Sequence, residues 1–286
     1  ALHGRWHEAR DLFLMTHMTQ VIEEARDVES KIIYHRAVAQ LGLAGFRRGE
    51  MHHAHDCLSD LQSTGRVREL LAQGLSNPYG KVERTPEEEA IQKRRILPFH
   101  MHINLELLEC SYHVAAMIKD IPNLAQHEFK DRGNGRISRS FYRLLQQSER
   151  STMTPDSYKE SIIIAAKAMK LGNWKTCVDA ILTEKLQKSV WNRFPGENNQ
   201  VVEMLTNKLK VECLRTYMFT YSQFYNTISK EVLAKNFELP LEVVTKTVTK
   251  LILESNLQAS LDDRSGSVIL HGNEPSRLQN IALQLS

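Results

Sequence analysis

The fold is decided by the stretch Thr227–His271, which reads TISKEVLAKNFELPLEVVTKTVTKLILESNLQASLDDRSGSVILH. Its first part carries apolar residues at helical spacing up to Phe237, and Ser229 is placed to cap the first turn of that helix. Pro240 suits the first turn of a second helix. That helix is predicted from Leu241 to Glu254, because its valines and leucines recur every three or four residues, although β-branched residues alone would favour a strand.

A hairpin is predicted after the two helices. Leu257, Ala259 and Leu261 alternate with polar residues, which is typical of a half-buried strand. A turn at 262–266, rich in Asp, Ser and Gly, then leads into a second strand at Ser267–Leu270. Helix, helix and hairpin in this order are typical of a winged helix, in which the hairpin is the wing.

Winged helices often bind DNA through their second helix, so this function has to be weighed. The outward positions of that helix mix acidic, hydroxyl and basic side chains: Glu242, Thr245, Lys246, Thr249 and Lys250. DNA binding needs a surplus of Lys and Arg on the phosphates, and bases are read by Arg, Asn or Gln, which its N-terminal half lacks. The pattern favours a role in packing or in protein–protein contact.

Composition places the chain among ordinary globular proteins. It has 286 residues, 42% hydrophobic and 25% charged, with a net charge of +3 that is spread evenly. No apolar run approaches the roughly 20 residues that a membrane-spanning helix needs. The four cysteines, which form no CxxC pair, are expected to be reduced thiols in a cytoplasmic protein: Cys57, Cys110, Cys177 and Cys213. No signal peptide is recognised, and since the sequence opens on Ala-Leu, we expect an excised fragment.

The rest of the chain reads as helical. Helix pairs are predicted at 32–46 with 51–61, and on both sides of a Gly172-Asn173 turn. A loop is expected at 75–86, and a further helix from about Pro98 that ends at 120–122. The predicted fold is therefore mostly α. It divides into a right-handed, TPR-like helical-repeat array at 1–225 with a possible break near 150–156, a winged helix at 226–272, and the start of a C-terminal helix at 273–286.

Four arginines are spaced by four, three and four residues, which would place them on one ridge of a helix: Arg132, Arg136, Arg139 and Arg143. Such a ridge could contact RNA phosphates or an acidic partner. The simpler interpretation is a solvated face that nearby carboxylates neutralise.

No constellation of residues predicts an enzyme, a cofactor or a metal site. In MHHAHDC (51–57), His52 with Asp56 and His53 with Cys57 have metal-ligand spacing, but the two pairs lie on different helix faces. The chain contains no GxxxxGK[ST] or GxGxxG phosphate loop and no GxSxG elbow. A polar helix face is the simpler interpretation of the histidines.

A helical array that runs into a winged helix resembles the PCI architecture of the proteasome lid, the COP9 signalosome and translation initiation factor 3. Four stretches are more specific and are similar to the family of c subunits of eukaryotic translation initiation factor 3: HMHINLELLEC at 100–110, LRTYMFTYSQFYNTIS at 214–229, LQASLDD at 257–263 and EPSRLQNIALQL at 274–285. The resemblance implies a non-enzymatic scaffold subunit that pairs through its PCI module, notably with the a and e subunits, on the small ribosomal subunit together with other initiation factors. A scaffold of the lid or signalosome type, or an RNA-contacting module, is the alternative.

The subunit interface is predicted at the wing and at the terminal helix. A short wing would leave a strand edge on which a second winged helix continues the sheet, and we expect that edge at Ser267, Val268, Ile269 and Leu270. The terminal helix would contribute Leu278, Ile281 and Leu285, which share one side.

Overall fold

Helices make up most of the described chain, and one small sheet lies in its C-terminal part. The computed structural model describes residues 4–25, 27–74, 90, 93–127, 138–150, 157–194, 198–254, 257–262 and 264–271. The helices are α1 (Trp6–Met15), α2 (Met18–Glu24), α3 (Val28–Arg48), α4 (Met51–Ser63), α5 (Val67–Leu70), α6 (Leu105–His127), α7 (Arg139–Arg150), α8 (Tyr158–Lys170), α9 (Trp174–Ile181), α10 (Glu184–Ser189), α11 (Asn198–Tyr221), α12 (Lys230–Phe237) and α13 (Leu241–Leu253), with 3-10 turns at Phe99–Met101 and Trp191–Arg193. The strands are β1 (Thr227–Ser229), β2 (Ala259–Asp262) and β3 (Ser267–Leu270).

Contacts divide the chain into two units, each of which draws on several stretches of sequence. The first unit contains the described residues of Ala1–Lys119, Ile137–Ile163 and Ile181–Leu205, and the second those of Asp120–Arg136, Ile164–Ala180 and Thr206–Ser286. The predicted boundary at 225/226 follows sequence order, and it stays a prediction. Of the other predicted features, the loop at 75–86, residues 151–156 of the break and the terminal segment 273–286 lie outside the described residues.

The centre of the first unit is the predicted helix pair, here α3 and α4. Asp27 caps α3, since its carboxylate accepts from the backbone N–H groups of Glu29 and Ser30 at 3.2 and 3.0 Å. Gly49, at φ +88°, ends α3 in the left-handed conformation and lets α4 fold back on it. A Cβ on Gly42 would lie 2.8 Å from the side chain of Leu58, so glycine is what allows the two helices to approach this closely.

Three aromatic rings bind the segment after α10 to α3 within the first unit. Phe46 stacks on Trp191 at 5.7 Å and on Phe194 at 5.8 Å between ring centroids, and all three side chains are buried. The indole Nε1 of Trp191 donates to the carbonyl of Ile181 at 3.0 Å. The stack therefore fixes the short turn that carries residues 191–194.

Helix α6 differs from its prediction at both ends. It begins at Leu105 rather than near Pro98, because the side-chain oxygen of Asn104 accepts from the first free N–H groups, at 3.0 Å from Glu106. The predicted end at 120–122 is wrong, since the helix continues through Pro122 to His127. Proline costs one backbone hydrogen bond, and burial of apolar residues on either side of it, such as Ile121, offsets that loss.

In the second unit, α12 and α13 have nearly the predicted bounds, and α13 ends one residue early, at Leu253. Their apolar faces are buried, among them Phe237, Val244 and Val248.

One local prediction is wrong. Ser229 precedes α12, but its side chain makes no capping hydrogen bond, and its backbone belongs to a strand that the sequence pattern did not reveal.

Candidate functional site

The sheet of the second unit has three antiparallel strands in the order β1–β3–β2. On one side of β3, Thr227 pairs with Ile269 and Ser229 with Ser267. On its other side the register continues from Ala259 paired with Leu270 to Asp262 paired with Ser267. Two further backbone hydrogen bonds extend the pairing of β1 and β3 by one residue at each end. The N–H of Lys230 donates to the carbonyl of Gly266 at 3.0 Å, and the N–H of Leu270 donates to the carbonyl of Asn226 at 2.8 Å.

The prediction of an open strand edge at Ser267–Leu270 is therefore wrong. This strand is β3, the central one, so its backbone groups are already paired on both sides. The physical reason is β1, whose three residues precede α12 and pair with β3 on the side away from β2. A strand with two partners inside its own sheet has no backbone groups left for a third strand.

Among the described residues, no strand pairs with the outer side of β2, the side away from β3. The hydrogen bonds between β2 and β3 show which residues of β2 direct their backbone N–H and carbonyl groups to this outer side. The backbone N–H of His271 donates to the carbonyl of Gln258 at 2.9 Å, so Gln258 directs its backbone toward β3. In an antiparallel pair, successive residues point alternately toward and away from the partner strand. Ala259 and Leu261 therefore direct their backbone groups to the outer side of the sheet.

The side chains of β3 lie on two faces. Val268 and Leu270 are buried, as are Leu251 and Leu257. Burial against the module's own helices removes these two side chains from contact with a partner. The other two predicted interface residues on this strand, Ser267 and Ile269, are half-exposed on the opposite face.

The turn between β2 and β3 is held by Asp262. Its carboxylate accepts from the backbone N–H of Arg264 at 3.0 Å and from the hydroxyl of Ser265 at 2.7 Å. The bond from Ser265 is the main reason that the pKa of this carboxyl lies below its ordinary value. Gly266 closes the turn at φ +63°, and the turn therefore fixes the end of β2 without help from a partner.

A second polar cluster of this unit ties α12 to α9 and α11. Trp174 donates through its indole Nε1 to the backbone carbonyl of Asn236 at 2.8 Å, and the ammonium of Lys210 lies 4.2 Å from the centroid of the Trp174 ring. Glu238, at φ +50°, forms ion pairs with Lys175 at 3.2 Å and Lys210 at 3.5 Å. The hydrogen bond from Lys175 is the largest cause of the lowered pKa of Glu238.

The outward face of α13, where a DNA reader would place its contacts, has little to offer a nucleic acid. The hydroxyls of Thr245 and Thr249 donate to the backbone carbonyls four residues before them, at 2.9 and 2.8 Å. Lys250 lies 3.7 Å from Glu254. Leu253, by contrast, is 78% exposed at the end of this face. The face is thus partly apolar, with charges of both signs around it.

Half of the predicted arginine ridge can be located. Arg139 and Arg143 are exposed one turn apart on α7, whose start is held by hydrogen bonds between the hydroxyl of Tyr112 and those of Ser138 and Ser140. The other two arginines, at 132 and 136, lie outside the described residues, as do Leu278, Ile281 and Leu285 of the predicted terminal helix. A contact of these residues with RNA or with a partner stays a prediction.

Within the segment 51–57, His55 takes part in packing and hydrogen bonding, and Asp56 forms an ion pair. The Nδ1 of His55 lies 3.0 Å from the carboxylate of Asp56, which Lys119 contacts at 2.7 Å, and the buried His55 ring stacks on Tyr112. Burial raises the pKa of the Cys57 thiol to about 11, which keeps it protonated. In the part of the chain that the structure describes, no group of three or more His, Cys, Asp or Glu residues could hold a metal ion.

Two elements of this site were missed by reasoning from the sequence. One is β1, for which the adjacent β-branched residues Thr227 and Ile228 were the available signal. The other is the role of Trp174, which is half-buried and acts as a hydrogen-bond donor, whereas Trp191 is fully buried.

The described helices include none that is both long and apolar enough to cross a lipid bilayer.

Comparison with known families assigns most of the chain. Residues 1–131 match the family model described as eukaryotic translation initiation factor 3 subunit 8 N-terminus, and residues 175–271 match the PCI domain. The second match covers α12, α13 and all three strands.

Curated relatives agree with these matches over the full length of the chain. The C subunit of eukaryotic translation initiation factor 3 from Drosophila melanogaster is 49% identical over 286 residues, which is 99% of this chain. The protein of the same name from Danio rerio is 48% identical over 288 residues. The chain spans 31% of the length of each of these two relatives. With both family models matched in order along it, the chain belongs to the family of C subunits of eukaryotic translation initiation factor 3 and carries that family's PCI domain.

Proposed function

We propose that this chain is a non-enzymatic scaffold part of a cytoplasmic translation initiation complex on the small ribosomal subunit. Its C-terminal module would be a winged helix, preceded by a TPR-like helical array, and the module would join sister PCI subunits, with the a and e subunits as the expected partners. The family assignment favours this function over that of a proteasome-lid or signalosome scaffold.

One observation carries the assembly mechanism: the outer side of β2 has no described strand against it. The backbone groups of Ala259 and Leu261 that face this side would pair with a strand of the partner, which extends the sheet from one protein into the next. The terminal segment with Leu278, Ile281 and Leu285 would add an apolar contact beside it.

The face of α13 supports a protein partner rather than a nucleic acid. Leu241 and Leu253 are 49% and 78% exposed, and their apolar surface would gain from burial against another protein. A nucleic acid would instead meet Glu242 and Glu254 beside the two lysines of this face.

The test compares Leu261→Pro with Leu261→Ala in the chain co-expressed with the a and e subunits. Proline removes an outward N–H that the chain's own sheet does not use, whereas alanine shortens the side chain but keeps that N–H. We expect Leu261→Pro to abolish co-purification and Leu261→Ala to retain it, with unchanged helical content by circular dichroism for both. A folded Leu261→Pro variant that still co-purifies would refute assembly through β2.

A further inference from the structure

The first unit contains a groove that is lined by apolar side chains and has two arginines among its lining residues. Its volume is about 470 Å³. The apolar lining comes from α3, from the segment before α6 and from the aromatic stack: Leu43, Ile103, Leu107 and Phe194. Arg47 and Arg193 also line it, and no Asp or Glu among the described residues does so. The groove therefore combines an apolar lining with charge of one sign, which is positive.

The wall that carries Arg193 is rigidly built. This exposed residue sits between Trp191 and Phe194, whose rings are buried and stack with Phe46 on α3. Because the buried rings of Trp191 and Phe194 hold the chain before and after it, the backbone of Arg193 is fixed, and only its side chain is free to adjust. An arginine whose backbone is already fixed loses less freedom when it binds a ligand than one on a loose loop.

The part of the lining that precedes α6 is also held by hydrogen bonds. His102 bonds through Nε2 to the backbone carbonyl of Leu97 at 2.8 Å, which requires Nε2 to carry the proton. Asn104 uses its side-chain oxygen to cap α6, and its Nδ2 is buried without a hydrogen-bond partner in the described part of the chain. The capping bond fixes the Asn104 side chain and with it the start of α6 beside the groove.

We propose that this groove binds an acidic peptide segment in which carboxylates alternate with large apolar side chains. A carboxylate fits the planar fork of Arg193 with two parallel hydrogen bonds, and the apolar side chain fills the space between Leu43, Ile103 and Phe194. Phosphate groups of RNA would use the arginines but leave the apolar lining empty. The inference is independent of the proposed assembly through β2, since the groove lies in the first unit.

The probe is a fluorescein-labelled pool of synthetic 12-residue peptides in which Glu alternates with a mixture of Leu, Ile, Phe and Met. Two matched pools replace every Glu with Gln or with Lys. Binding to the chain is measured by fluorescence anisotropy at two salt concentrations. We expect the Glu pool to bind about tenfold more tightly than the Gln pool, since a charge-assisted bond is roughly twice as strong as a neutral one, and the Lys pool not to bind.

The variant Arg193→Gln tests the site, with Arg68→Gln as its matched control, because Arg68 is an exposed arginine of the same unit outside the groove. We expect Arg193→Gln to weaken the Glu pool about tenfold and Arg68→Gln to leave it unchanged. A third variant, Arg193→Glu, should prefer the Lys pool to the Glu pool, which a merely unfolded protein could not do. Equal binding of the Glu and Gln pools, equal effects of Arg193→Gln and Arg68→Gln, or displacement of the probe by a 12-nucleotide RNA but not by unlabelled Glu pool would each overturn the proposal.

Discussion

The indole Nε1 of Trp174, at the start of α9, donates a 2.8 Å hydrogen bond to the backbone carbonyl of Asn236 near the end of α12. The last carbonyls of a helix have no partner within the helix, and Trp174 satisfies one of them. Lys175 and Lys210 reinforce the same end through Glu238, which occupies the left-handed C-cap position. Side chains from α9 and α11 thus fix the orientation of the first helix of the C-terminal module within the second unit.

Replacing Trp174 with phenylalanine should lower the free energy of unfolding by about 1 kcal/mol, because an aromatic ring remains and one hydrogen bond is lost. The measurement is urea denaturation followed by circular dichroism, which does not depend on the tryptophan signal. Trp191→Phe is the comparison: its Nε1 bonds to Ile181 in a fully buried site, so its loss should be larger. Equal stability of Trp174→Phe and the unmodified chain would mean that this bond does not anchor α12.

Gly172→Ala should destabilise the chain more than Gly65→Ala. Both glycines have positive φ, +74° and +66°, so both substitutions introduce backbone strain of about 1 kcal/mol. A Cβ at Gly172 would also lie 2.8 Å from Cδ2 of Tyr217, whereas one at Gly65 meets nothing within 4 Å. We therefore expect an additional loss of about 1 to 3 kcal/mol for Gly172→Ala in urea denaturation. If the two variants lose the same free energy of unfolding, the side chain of Tyr217 moves aside for the added Cβ without a loss of stability.

Stability should fall as pH decreases from about 6.5 to about 4 because of His113. Burial, with a smaller contribution from Lys159, lowers the pKa of this histidine from 6.5 to about 4 in the folded chain. Between these values the unfolded chain binds a proton that the folded chain does not, so acid favours unfolding. The loss should approach roughly 3 kcal/mol at the lower end of this range.

Because other groups titrate in the same range, His113→Gln is the reference for that measurement. The difference in unfolding free energy between the two proteins should be steep between pH 6.5 and 4 and flat at higher pH. His35, whose pKa burial also lowers, is present in both proteins and cancels in the difference. A difference that does not vary with pH would show that His113 titrates normally.

Charge reversal at Arg139 and Arg143 tests the predicted RNA contact of α7. If the ridge binds phosphates, Arg139→Glu with Arg143→Glu should weaken binding of the chain to RNA or to the small ribosomal subunit, and binding should depend less steeply on salt. The double variant Lys185→Glu with Lys188→Glu makes the same change in net charge on α10 and serves as control. If the two double variants weaken RNA binding equally, binding depends on the net charge of the chain and not on a specific contact with the ridge.

Several local features could be predicted from the sequence because each depends on neighbours only a few residues away. Helical periodicity located α12 and α13 to within a residue, and the turn rich in Asp, Ser and Gly located the hairpin. The helix pair α3–α4 was found in the same way, from its apolar faces and the glycine between them. The four stretches that resemble the c subunits of initiation factor 3 carried the family assignment.

Which strand forms the edge was decided only by the tertiary structure. Ser267–Leu270 looks the same locally whether it has one neighbour or two, and the deciding partner, β1, precedes it by about forty residues. The groove beside Arg193 likewise depends on a ring stack between Phe46 and Phe194, which are far apart in the chain. Sequence by itself determined α3, α4, α12, α13, the hairpin and the family, since these follow from local periodicity and residue identity. Strand order and the position of charged side chains follow from pairing between distant segments, which local patterns do not encode.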